Sequence, residues 1–160
     1  MTATAELLES MLPLEAVKVS DEPRNSTTTM ANDAALVVPV EANAMYTVGG
    51  YIIYSQNLAA SASTGIKLGW AGPAGATMQW TSGGTDSPTS LTGQDVTSQA
   101  ITATRNLPSN LGTYMSAIPF GTLFTAGAAG TLAVQWAQIA SNGTPTIVRA
   151  GSRLCLRRTA

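Results

Sequence analysis

Residues 44–55 read AMYTVGGYIIYS, and no other stretch limits the fold so tightly. Successive side chains of a strand point to opposite faces. Tyr46, Val48, Ile52 and Tyr54 therefore share one face, and Met45, Tyr51 and Ile53 share the other. A strand with one wet face alternates apolar with polar. This one is apolar on both, so it is expected to be covered twice, by a second sheet and, on the far side, by a neighbouring subunit. Gly49 and Gly50 at its centre predict a bulge or a close approach of another backbone.

The same period of two runs through most of the chain from Pro13 onward. Ala16–Ser20 alternates, and Ser26–Met30 is Thr-rich, as in an exposed or edge strand. Leu36–Val40 is compact and apolar, and its Pro39 places it at a sheet edge or a strand end. Ile66, Leu68 and Trp70 alternate with Lys67 and Gly69; the turn GPAGA (72–76) leads to Met78 and Trp80, which read as core. SGGTDSPTSLTGQD (82–95) has the composition of a long loop. Further strands are expected in Val96–Thr104, Thr113–Thr125, Thr131–Ala140 and Thr146–Arg158, and residues 133–158 read as a closing β-hairpin. Eight or more strands with one apolar face each bury those faces against one another, which predicts an all-β, antiparallel two-sheet sandwich over residues 14–160.

Residues 1–13 read as a separate arm. Glu6–Leu12 is the single helix candidate, with Thr4 as its cap and Pro13 as its stop. Leu7, Leu8, Met11 and Leu12 form one apolar stripe, and a helix this short is not stable alone in water. It is expected to dock, either on its own domain or as an anchor on a neighbouring subunit or partner.

Charge is scarce and unevenly placed. Residues 1–41 carry seven acidic and two basic side chains, a net of −5; residues 42–160 carry six basic and two acidic ones, a net of +4. No charge occurs from Asn106 to Val148. A monomer keeps itself apart by mixed surface charge, so a long neutral stretch with aromatics predicts self-association. Tyr114, Phe120 and Phe124 are the candidate contacts there, being too aromatic for a solvent face. Arg149, Arg153 and Arg157, with Arg158, form a basic edge, for which the acidic first forty residues are the economical partner. Single exposed pairs contribute under about 1 kcal/mol each, so they set register more than stability.

Catalytic chemistry has little to work with. The chain has no histidine, which removes the commonest general base and metal ligand. One cysteine and scattered carboxylates do not complete a zinc site. Asp86 and Asp95 lie in or beside the loop and read as solvated carboxylates. Cys155, between two leucines, reads as a half-buried apolar residue. The expectation is no enzyme, no cofactor and no metal. No basic n-region or long apolar run suggests a signal peptide or a membrane span. A pI near 5.2, with no aromatics between the arginines, argues against nucleic acid.

The segment GTLAVQWAQIASNGTPTIVRAGSRLCLRR (130–158) resembles the C-terminal part of a domain found in virion proteins of phages that infect actinobacteria. STTTMANDAALVVPVEANAMYTVGGYIIYS (26–55) and GIKLGWAGPAGATMQW (65–80) are similar to that domain's front half. The resemblance implies a trimeric jelly roll of the tumour necrosis factor-like kind, with the last strand in the sheet that packs around the threefold axis, and it supplies no catalytic residue. It also implies a structural virion protein, made in the host cytoplasm and placed on the virion. The leading expectation is a homotrimeric capsid decoration protein bound to the major capsid protein of a tailed phage. The alternative is a tail-associated receptor-binding trimer recognising a cell-surface glycan, with Trp80 as its sugar platform.

Overall fold

Apolar residues at every second position form strands, because only a pleated strand puts them all on one side. The computed structural model describes residues 12–83 and 97–160, and these form twelve strands and no helix. In chain order they are β1 (Leu14–Val17), β2 (Glu22–Arg24), β3 (Ala31–Val40), β4 (Met45–Gln56), β5 (Gly65–Ala71) and β6 (Thr77–Gly83). There follow β7 (Gln99–Ala100), β8 (Arg105–Pro108), β9 (Met115–Phe124), β10 (Gly130–Gln138), β11 (Thr146–Val148) and β12 (Arg153–Arg158).

Two antiparallel sheets result. The smaller runs β3-β10-β5-β8; the larger runs β1-β12-β4-β9-β6-β7, with β11 pairing both β4 and β2. Eight of the strands pair in a nested series, β3 with β10, β4 with β9, β5 with β8 and β6 with β7, alternating between the sheets. Inner faces meet in one core. Leu36, Ile66, Leu68 and Trp136 of the small sheet and Val48, Ile52, Leu123 and Leu154 of the large one are fully buried. Trp70 of β5 and Trp80 of β6 span the layers edge to face, with ring centroids 5.8 Å apart.

The long strand is where its sequence put it. Its interior glycines do not make a bulge, since the register with β9 is the same on both sides of them. Gly50 instead makes room: a Cβ there would lie 2.8 Å from the Pro119 ring. The ladder to β9 lapses at Gly50 and Tyr51, next to the proline that has no N–H to give. Pro39 sits on β3, an edge strand of the small sheet.

Several expectations need correction. Residues 133–158 are not a hairpin: β10 belongs to the small sheet and β12 to the large one, so the chain crosses the sandwich between them. The Gln138 side chain fixes that crossing, accepting from Asn142 N and donating to Thr144 O. Thr146–Arg158 is not one strand. β11 and β12 both lie along β4, but their registers differ by the two extra residues absorbed in a turn at Arg149–Ser152, where Gly151 has φ 89°. Ser26–Met30 is not a strand either; Ser26 takes φ 54°, and Met30 lies over Gly69 on the outside of the small sheet. Of the described part of Val96–Thr104, residues 97–104, only Gln99–Ala100 forms a strand, and Ser82 and Gly83 belong to β6 rather than to the loop. Residues 6–11 of the expected helix lie outside the described residues, as do 84–96; Leu12 is a bend, not a helical turn.

The first described segment is strapped on by a buried polar cluster. Asp33, fully buried at the start of β3, accepts from Lys18 Nζ at 2.8 and 2.9 Å, from Ala35 N, from Leu36 N and from Trp136 Nε1. Lys18 also pairs with Glu22 at 2.6 Å. Arg24 lies with its guanidinium 4.0 Å from the centre of the Trp136 ring and donates to Glu22 and to the carbonyls of Ala31, Asn32 and Trp136.

Candidate interaction surface

β9 shows how the candidate surface arises. Its odd-numbered residues Ala117, Pro119, Gly121 and Leu123 are buried, so its even-numbered ones project from the outside of the large sheet. Three of those are Ile118, Phe120 and Phe124, which are 54%, 58% and 47% exposed. β4 brings Tyr51, 41% exposed, beside Ile118, with the half-buried Met45 opposite Phe124. Across one row, Glu15 faces Cys155, Cys155 faces Gly49, Gly49 faces Phe120 and Phe120 faces Thr81. A Cβ on Gly49 would touch nothing within 4 Å, so the sheet has a shallow dent between Cys155 and Phe120. In the next row Val17 faces Arg153, which faces Tyr51. Among the described residues nothing covers the far side of the long strand, and it carries large apolar side chains.

The expected contact residues divide. Phe120 and Phe124 belong to this face. Tyr114 stands apart from them, immediately before β9, and Phe124 is ten residues away, which is about 33 Å along an extended strand. The Tyr114 ring is covered on one side by the Arg149 guanidinium at 4.7 Å. Ile118 was not singled out from the sequence. Its signal was the even-numbered parity it shares with Phe120 and Phe124.

The basic edge also divides, and it is not an edge. β1 lies along β12, with Leu14 opposite Leu156 and Val17 opposite Arg153, so the arginines sit on an inner strand of the sheet. Arg153 and Arg157 project from the outer face beside Tyr51 and Thr47. Arg149 sits in the turn before β12, donating to Asp21 at 2.7 Å and to Ser55 Oγ. Arg158 pairs with Glu41. Asp21 is held below the usual carboxylate range, first by the Ala150 backbone N–H and then by the Arg149 guanidinium. The acidic first forty residues therefore do meet this cluster, within one chain.

Of the anchor stripe, Leu7, Leu8 and Met11 lie outside the described residues, and Leu12 is 62% exposed. Trp80 is 1% exposed and donates its Nε1–H to Ala100 O, so it offers no face to a sugar. Cys155 is half-buried. Among the described residues no three His, Cys, Asp or Glu side chains come together as metal ligands would, and no helix is long and apolar enough to cross a membrane.

No protein-family model matches this chain, and no curated protein does. Among solved structures, that of the infectious bursal disease virus Gt strain aligns over 92% of this chain and 41% of its own, at 13% identity and a TM-score of 0.25. The Gx strain structure aligns over 92% and 40%, at 14% identity and a TM-score of 0.27. The crystal structure of the same virus's VP2 subviral particle aligns over 92% and 41%, at 12% identity and a TM-score of 0.25. The chain spans about two-fifths of those chains' length, and likenesses at such TM-scores carry no argument about fold or function.

Proposed function

We propose that the protein is a structural virion protein: a jelly-roll subunit of a homotrimer that sits on a phage head and stabilises the shell as a decoration protein. The observation that carries the reading is the outer face of the large sheet, where Tyr51, Ile118, Phe120 and Phe124 stand half exposed on two adjacent strands. Covering half-exposed side chains of this size contributes about 1 kcal/mol each, which favours a permanent contact over solvent. The nested pairing of β3–β10 supports the jelly roll, because that is how such a fold closes its two sheets. β12 lies beside β4 in the sheet that bears the apolar face, the place the resemblance gives to the last strand of a trimer. The resemblance of residues 26–55, 65–80 and 130–158 to phage virion domains supplies the setting.

Decoration is tested by binding to virus shells stripped of this protein. The full chain is expected to bind and to raise the temperature at which the shells break. A chain lacking residues 1–13 is expected to stay folded and lose most of that binding, since those residues are the proposed anchor on the major capsid protein. Shells that ignore the full chain would reject decoration and move the role to the tail, where a saturable glycan affinity would be the sign.

A further inference from the structure

Arg157 and Thr47 face each other across the β12–β4 ladder and project from the same side of the large sheet. With Arg158 and Thr159 they line an open cavity of about 490 Å³ at the end of β12. No acidic side chain lines it. Of the described carboxylates, Asp33 and Glu22 pair with Lys18 and Arg24, Asp21 with Arg149, and Glu41 with Arg158 at the cavity wall; Glu15 faces Cys155 across the β1–β12 ladder and is ion-paired with no described residue. Arg158 is further occupied by the Ala160 carbonyl at 3.2 Å, and the Thr159 hydroxyl donates to Met45 O at 3.2 Å. The Arg157 guanidinium and the Thr47 hydroxyl make no hydrogen bond to any described residue. Two donor groups without a described partner thus line one cavity, beside a second guanidinium held by Glu41 and Ala160 O.

We propose that this cavity is an oxyanion site, holding a phosphate, sulfate or carboxylate group on the Arg157 guanidinium, with the Thr47 hydroxyl as a second donor. A guanidinium presents two parallel N–H bonds to such a group, and a charge-assisted bond is about twice as strong as a neutral one. Arg158 adds positive potential from the wall without giving up Glu41. The site is built from one chain, on the same outer face as the proposed homotrimer contact, where Thr47 faces Thr122 between Phe120 and Phe124. Arg153, on the same face four residues earlier, does not line this cavity and serves as the internal control.

The test titrates the full chain with inorganic phosphate, and separately with acetate, at constant ionic strength in chloride. The arginine Nε–H resonances are followed by NMR for the wild type, Arg157→Gln, Arg153→Gln and Thr47→Val. Saturable movement of the Arg157 resonance is expected in the wild type and in Arg153→Gln, with affinity several-fold weaker in Thr47→Val and no saturable binding in Arg157→Gln. Saturation by both anions identifies a carboxylate as a sufficient ligand; saturation by phosphate alone identifies a phosphate or sulfate. Arg157 moving no more than Arg153, or saturable binding surviving in Arg157→Gln, would overturn the proposal.

Discussion

At the scale of single residues, Asp33 carries more of the fold than its size suggests. It is a buried carboxylate accepting five hydrogen bonds from four donor groups, and although burial pushes its pKa up, the Lys18 ammonium and the Ala35 and Leu36 amides outweigh that and hold it below the ordinary value. A carboxylate lowered on folding stabilises above its unfolded pKa of about 3.9 and loses that contribution as pH falls through the folded value. Asp33→Asn leaves the buried Lys18 with only the part-exposed Glu22 as counter-charge, which costs up to about 3–5 kcal/mol. Urea midpoints from pH 2 to 6 check both points: the wild type should lose stability steeply below about pH 4, and the variant should be weaker at pH 6 with a flatter acid limb. Equal acid slopes would mean that Asp33 is not the group responsible. None of this was legible in the sequence. Lys18 and Asp33 are fifteen residues apart on different strands, and nothing in their spacing announces a pair. The Trp136 indole N–H, which donates to Asp33, had no sequence signal as a hydrogen-bond partner either.

At the scale of the element, periodicity tells which face a residue is on and does not tell which sheet a strand joins. That is why Tyr46, Val48, Ile52 and Tyr54 were grouped on one face from the sequence alone, and all four are buried, as are Val134, Trp136, Leu154 and Leu156. The pairing of the strands that carry the last four was misread as a hairpin, because the seven-residue link from β10 to β11 can turn back or cross the sandwich with the same turn residues. Glycines separate along the same line. Gly121 of β9 lies so close to β6 that a Cβ would meet Gln79 O at 2.5 Å and Trp80 Cβ at 2.8 Å. Gly121→Ala is therefore expected to cost about 1–3 kcal/mol through overpacking. Gly49→Ala meets only open space and should raise monomer stability by about 0.5–1 kcal/mol, the usual relief of a strand glycine. Chemical unfolding of the two variants compares them directly, and a loss at Gly49 equal to that at Gly121 would refute the packing account of β9.

At the scale of the molecule, the unbroken neutral stretch from Asn106 to Val148 divides between two destinations. Leu107, Ala117, Leu123, Leu132, Val134 and Trp136 go to the core. Ile118, Phe120 and Phe124 go outside, onto the face shared with Tyr51. The aromatic excess was visible in the sequence, but the contact set was not, because Tyr114 has the right composition and the wrong place. The proposed homotrimer rests on this face being an interface between copies. Its most direct test is the molar mass in solution by light scattering, for the wild type and for Phe120→Glu, which puts a charge beside the Gly49 dent without touching the core. The expected result is three times the 16.4 kDa of one chain for the wild type, and a folded species of 16.4 kDa for the variant. A wild type that stays at 16.4 kDa through micromolar concentrations would contradict the account, and so would a Phe120→Glu chain that still assembles.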